Sequence, residues 1–364
     1  MTGAKIEPRP GVMDVQAYVG GKAGLDDRTD IIRLAANESP LGPSARALEA
    51  YAETGEGLNR YPDGASWALR DGLAAHYGLD AERIVCGNGS DELIALLTRT
   101  YAGPGDEVLF TEHGFAMYPI ATIAAGATPV VAPETDLTAD IDKLLGKVSK
   151  RTRIVFLANP NNPTGSYVPA SEIVRLREKL PENILLVVDA AYSEYVSRND
   201  YTSAAEMVAA DGNVVMTRTF SKIYALAGLR LGWAYCPAAV ADVLNRVRNP
   251  FNVTAPAQAA GLAALADIAH LDRARTQNDI LLPRFTAGLE SLGLSVAPSV
   301  ANFVLVRFPK DDKHSAASAE KFLNSRGIIP RGVANYGLPE HLRFTVGLEN
   351  EVEAVLAALK DFLG

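Results

Sequence analysis

From residue 66 onward the chain alternates two hydrophobic rhythms. Ser66–Tyr77 repeats its apolar positions with helical spacing, and Arg83–Cys86 follows as a short apolar strand. Asp91–Tyr101, Tyr118–Ala125, Asp140–Val148 and Ser171–Lys179 also read as helices. Between and after them Glu107–Phe110, Thr128–Val131, Arg153–Leu157, Ile184–Asp189, Val214–Thr217 and Leu231–Tyr235 read as strands. Strands that alternate with helices build βαβ units. The expected fold class is therefore α/β, with a large domain around a mostly parallel, seven-stranded sheet covered on both faces.

The rhythm changes near Asn249-Pro250. A long Ala-rich helical stretch (Ala255–Leu271) and a second helical run (Asp279–Leu292) come next, then extended segments at Phe303–Val306 and Arg343–Val346. Residues 1–30 are rich in Pro, Gly and polar residues and read as an arm. The division this predicts is an arm over 1–30, a large domain over 31–250 and a smaller α+β domain over 251–364. A chain of 364 residues is long enough for two cores.

Composition narrows the function classes. With 48% hydrophobic and 21% charged residues the chain reads as an ordinary soluble globular protein. A formal charge of −8 argues against nucleic acid as a partner. An anionic ligand would need a local arginine cluster. Cys86 and Cys236 show no CxxC or Cys/His spacing, and the five histidines are scattered, so no metal site is expected. The opening MTGAKIEPRPGVMD lacks the apolar centre of a signal peptide, and no run of 18 apolar residues occurs. A cytoplasmic protein with no membrane partner is the expectation.

Ligands of a parallel α/β sheet gather beyond the carboxyl ends of its strands, and four unusual segments fall there. GNGSDE (Gly87–Glu92) leaves a strand and opens a helix, which suits either a phosphate at the helix N-terminus or a tight turn capped by Ser90. A dinucleotide site needs GxGxxG, and position 92 is Glu. LANPNNPTG (Leu157–Gly165) is a rigid loop whose asparagines project amides at fixed angles. LLVVDAAYSEY (Leu185–Tyr195) ends an apolar strand in Asp189, a carboxylate that burial would penalise unless a cation or a capping role answers it. RTFSKIYALAGLRLG (Arg218–Gly232) sets Lys222 among apolar neighbours that depress an amine pKa, with Thr219, Ser221 and Arg230 available to a phosphate dianion. Singly, each segment has a bland structural explanation. In order along one sheet, they supply partners for a phosphate, a phenolate, a ring nitrogen and an aldehyde, the groups of pyridoxal phosphate.

These segments, together with LAANESPLGPS, RYPDG and GLPEHLRFTVG, make the chain resemble the fold-type I pyridoxal-phosphate-dependent aminotransferases, and within them the histidinol-phosphate aminotransferases. The resemblance runs through most of the chain. It implies that Lys222 holds pyridoxal 5'-phosphate as a Schiff base and shuttles the proton. Asp189 would pair with the pyridinium nitrogen, and Tyr192 and Asn162 would hydrogen-bond the phenolate oxygen. Phe115 stands where the family places an aromatic, often Tyr, against the ring face; stacking survives, and any role for a hydroxyl there is lost. Gly89, Ser90, Asp91, Thr219, Ser221 and Arg230 would hold the phosphate. Tyr61 resembles a tyrosine that reaches the neighbouring subunit's cofactor, which implies a homodimer with shared sites.

For substrate, Arg343 matches the arginine that takes a carboxylate. Arg331 and Tyr18 match positions associated with the distal phosphate of histidinol phosphate, and Asn37 lies near the same pocket. The implied reaction moves an amino group between L-histidinol phosphate and 2-oxoglutarate, giving glutamate, in histidine biosynthesis. An aromatic amino-acid aminotransferase of broad specificity is the nearest alternative. A decarboxylase or carbon–sulfur lyase on the same fold, and a non-enzymatic regulator retaining it, are remoter ones.

Overall fold

Apolar residues at successive strand positions point to opposite faces of a sheet, so strands without polar alternation need cover on both sides. The computed structural model shows that cover. It describes residues 6–18, 20–22, 24, 25, 28–209 and 212–364. The remaining positions of the expected arm (1–5, 19, 23, 26 and 27) lie outside the described residues.

The chain opens with β1 (Ile32–Arg33), α1 (Ala45–Glu53) and α2 (Trp67–Tyr77). The large sheet is made of β2 (Ile84–Asn88), β3 (Glu107–Thr111), β4 (Thr128–Ala132), β5 (Thr152–Ala158), β6 (Leu185–Asp189), β7 (Val214–Thr219) and β8 (Leu231–Tyr235). Helices α3 (Gly89–Tyr101), α4 (Met117–Ala125), α5 (Ile141–Gly146) and α6 (Ala170–Lys179) lie on the connections. The strand order is β2-β8-β7-β6-β5-β3-β4. Strand β8 runs antiparallel to both its neighbours and the other pairings are parallel, as expected of a mostly parallel sheet. Val155 and Leu157 of β5 join the core on one face, and Ile154 and Phe156 join the core on the other.

After α7 (Ala238–Val247) and α8 (Ala255–Ala266) comes the 24-residue helix α9 (Ile268–Ser291). The second unit follows with β9 (Ser295–Ala297), β10 (Phe303–Arg307), α10 (Ala316–Ser325), β11 (Ile328–Ile329), β12 (Arg331–Gly332), β13 (His341–Thr345) and α11 (Glu349–Leu363). Its antiparallel sheet has the order β12-β13-β10-β9.

Packing does not follow the expected division at residue 250. Val253, Ala257, Ala260, Ala264 and Leu265 pack into the core of the large unit, and α8 lies on α1 and α2. The changeover occurs inside α9, where Leu271 and Ala274 face the first core while Leu281, Phe285 and Leu289 face the second. Nor does residue 31 begin the large unit: β1 pairs with β11, and Leu34 is buried in the second core. The helical break expected over residues 272–278 falls at Asp267 instead, whose side chain accepts from the His270 amide and starts α9. The polar run is a helical crossing between units, stabilised as Arg275 donates to the Glu194 carbonyl and Asn278 to the Ala301 carbonyl.

Candidate active site

Parallel strands bring their carboxyl ends to one edge, and registry does the rest. Ala158, Asp189 and Thr217 sit side by side on β5, β6 and β7. The Phe220–Arg230 segment joins β7 to β8 at this edge, and α3 begins there too. Across the gap stands the antiparallel sheet of the second unit. Between them lies a cleft of about 210 Å³.

Of the residues expected at the site, Ser90, Asp91, Phe115, Asn162, Asp189, Tyr192, Thr219, Ser221, Lys222 and Arg230 line this cleft from the large unit. Tyr18, Asn37, Arg331 and Arg343 line it from the other side. Gly89 adjoins Arg230. Tyr61 is not in the cleft; it is 82% exposed and stacks on Phe251 at 4.6 Å.

Asp189 is 5% exposed and accepts hydrogen bonds from the Tyr118 hydroxyl at 2.9 Å and the Thr217 hydroxyl at 3.2 Å. Burial pushes its carboxyl up to about 6 despite those donors. Among the described residues no cation forms a salt bridge with it. Burial, assisted by the positive charge of Arg343, brings the Lys222 amine down to about 8. Its Nζ donates to the Ala36 carbonyl at 3.1 Å and lies 5.6 Å from the centre of the Tyr192 ring. The Tyr192 hydroxyl accepts from Asn37 Nδ2 at 2.9 Å, which leaves its own proton to donate. Asn37 is in turn fixed by Asn302 and Thr345.

At the start of α3 the first backbone amides have no intrahelical partner and face the cleft end of the sheet. Arg230 Nη2 pairs with Asp91 at 3.0 Å, and Nη1 reaches the Ser221 hydroxyl at 3.2 Å, which in turn meets Thr219 at 3.0 Å. Two glycines make room for this cradle. A Cβ on Gly89, whose φ is +77°, would sit 2.4 Å from Arg230 Nη2, and one on Gly232 would sit 2.3 Å from the Ser90 amide. Glu92, where a dinucleotide motif would have Gly, turns back to accept from the Asn88 amide and Asn252.

The second unit presents arginines. Arg331 and Arg343 are register partners on β12 and β13, buried to 9% and 5% exposure. Arg343 donates to Asn162 Oδ1 and, at 2.7 Å, to the Ala35 carbonyl. With its oxygen so engaged, Asn162 keeps its amide NH2 for another acceptor. Burial lowers the Arg343 pKa, a sign that its charge is held at a desolvation cost.

Sequence reasoning missed Tyr118, Thr217 and Tyr336. Thr217 was recoverable, because it ends the strand expected over Val214–Thr217, and in the structure it is the register partner of Asp189. Tyr118 lies three residues past Phe115, within one helical turn of it, and could have been found that way. Tyr336, which lines the cleft beside Arg331 and Arg343, sits in a short 3-10 turn with no such signal.

A two-unit α/β architecture with a lysine, a strand-end aspartate and an anion cradle on one edge defines a class, and the chain belongs to it: residues 29–359 match the family of class I and II aminotransferases. The particular relatives are more specific. The chain is 58% identical to the histidinol-phosphate aminotransferase of Paramagnetospirillum magneticum and 55% identical to that of Rhodospirillum centenum, covering 98% of this chain and of each relative. Its fold is similar to the crystal structure of histidinol-phosphate aminotransferase from Sinorhizobium meliloti in complex with pyridoxal-5'-phosphate, with a TM-score of 0.89, 30% identity and coverage of 100% of this chain and 99% of that one. Among the described residues, no helix is long and apolar enough to cross a membrane, and no group of three or more His, Cys, Asp or Glu is placed to hold a metal ion.

Proposed function

We propose that this chain is a pyridoxal-phosphate-dependent histidinol-phosphate aminotransferase, exchanging an amino group between L-histidinol phosphate and 2-oxoglutarate. The observation that carries it is the facing pair of buried arginines, Arg331 and Arg343, opposite a lysine and a buried aspartate.

The residues fit the cofactor. Asp189 is a buried carboxylate with a raised pKa, which a pyridinium proton would relieve. The glycine-cleared cradle of Ser90, Ser221 and Arg230 offers backbone amides, a hydroxyl and a guanidinium to a phosphate. Phe115 supplies a ring face, and Tyr192 and Asn162 each keep a donor for a phenolate oxygen. When bound, pyridoxal phosphate supplies an electron sink that acidifies the carbon bearing the amino group.

The chain's own groups do the rest. Lys222 Nζ, with a pKa near 8, is neutral often enough to act as nucleophile and then as the base that moves a proton. Tyr192 donates from beside it, and Asn37 holds that phenol in place. Histidinol phosphate has no α-carboxylate, whereas glutamate does. Two arginines serve both: a distal phosphate in one half-reaction and carboxylates in the other. Tyr18 and Asn37 would close around the substrate. The same reading takes the protein as a cytoplasmic homodimer. Exposed Leu48, Tyr51, Leu58, Tyr61, Trp67 and Phe251 support a covered surface near α1 and α2, with Tyr61 reaching the partner's cofactor.

The test is a steady-state assay of glutamate formation from histidinol phosphate and 2-oxoglutarate. Turnover should require both. Continued consumption of histidinol phosphate without 2-oxoglutarate, beyond one equivalent per active site, would make the protein a lyase and reject the proposal.

A further inference from the structure

A second charged pair lies buried behind the strand ends. Glu194 and Arg218 are 6% and 5% exposed, and Arg218 Nη2 lies 2.8 Å from Glu194 Oε1. The guanidinium packs over the Tyr77 ring at 4.3 Å and lies 5.6 Å from the Trp233 ring. The Tyr77 hydroxyl is 2.8 Å from the Tyr224 hydroxyl. Arg275 of α9 donates to the Glu194 carbonyl at 2.8 Å, so the glutamate is held at both its side chain and its backbone.

The chain positions of these groups give the cluster its meaning. Glu194 lies in the 3-10 turn Ser193–Tyr195, two residues past Tyr192. Arg218 lies in β7, four residues before Lys222, and Tyr224 lies two residues after it. The cluster therefore ties the turn that carries the phenol to both sides of the amine. Two apolar side chains would fill the same volume with less desolvation, and buried ion pairs rarely out-stabilise such replacements. What apolar side chains lack is direction. A planar guanidinium clamped between an aromatic ring and a carboxylate admits few arrangements.

We propose that the Glu194–Arg218 pair is a positioning device that sets the Tyr192 phenol against the Lys222 amine. Neither residue touches the cleft, so the pair acts through Tyr192 and Lys222. It matters to the reaction only if those two face the cofactor as proposed above.

Two variants of the holoenzyme test this. Glu194→Asp keeps both charges and retracts the carboxylate by one methylene. Glu194→Gln together with Arg218→Met removes both charges at similar volume. The readouts are the pH titration of the cofactor's visible band, kcat and KM separately, and the melting temperature of the cofactor-free protein. For Glu194→Asp the titration midpoint should move by about half a unit or more. Its kcat should fall about tenfold or more with KM unchanged, since misplacement by ~1 Å can cost up to about 100-fold. The charge-free double variant should melt near the parent temperature and still show both defects. Folded variants with the parent midpoint and kcat would overturn the proposal. Failure of both variants to fold would assign the pair to stability alone and overturn it equally. A parent protein with no visible band on adding cofactor would instead reject the assignment of Lys222, a separate result.

Discussion

The two sides of the cleft are built on different physical terms. On the large-unit side, side chains stand at the ends of parallel strands and each is held by a neighbour: Asp189 by Tyr118 and Thr217, Arg230 by Asp91 and Ser221. On the opposite side, two arginines face each other across an antiparallel pair, with like charges buried in one place. The first arrangement is a mould of groups that hydrogen-bond one another. The second brings two guanidinium groups to one side of the cleft, and under the proposed function they would take a phosphate in one half-reaction and carboxylates in the other. Under that reading the arginines would answer locally the net −8 of an acidic chain.

The largest expected effect breaks the mould. Lys222→Ala should reduce turnover on the order of 10⁴-fold or more while the protein folds, as circular dichroism and a melting curve would check. Retained turnover would remove Lys222 from the mechanism.

Asp189→Asn should separate folding from function. The folded carboxyl titrates near 6 against an ordinary 3.8, so the folded protein binds the proton more tightly. The stability from this group is present below about pH 4 and is lost as pH rises through about 6, a difference of ~3 kcal/mol. The Asn variant should therefore melt higher than the parent above about pH 7 when cofactor-free, and hold cofactor less tightly. A melting series across that range, without and with pyridoxal phosphate, checks both signs.

On the arginine side, Arg331→Ala should cost about 10- to 100-fold in kcat/KM for histidinol phosphate and less for phenylalanine. Equal losses would take Arg331 away from the distal phosphate. The smallest effect tests the proposed homodimer. Tyr61→Phe keeps the stack on Phe251 and should weaken cofactor binding by about three- to tenfold, measured by titration into the cofactor-free protein.

The same contrast explains what was legible in the sequence. The large-unit residues were readable because strands with plain apolar runs lead to them, as LLVV leads directly into Asp189 and IVFLA into the loop Asn159–Asn162. The βαβ rhythm then puts those ends on one edge. The small-unit side is assembled from short strands such as β12, two residues long, whose pairing depends on contacts distant in sequence. No local pattern marks Tyr336, and the resemblance alone singled out Arg331. The boundary near residue 250 was misplaced for a related reason: Asn249-Pro250 ends a local rhythm, but α8 packs back on α1 and α2 through contacts about 200 residues apart. Helix α9, with the mostly polar run Asp272–Asn278 in its first half, reads locally as a break because its buried partners belong to two cores.

The most direct test of the central claim is a half-reaction monitored by absorbance. Cofactor-loaded protein is mixed with histidinol phosphate, and separately with phenylalanine, without any acceptor. The visible band of the lysine-bound cofactor should be lost to the pyridoxamine form at far lower concentrations of histidinol phosphate. Equal response to phenylalanine would contradict the assignment and make the protein a broad aromatic aminotransferase.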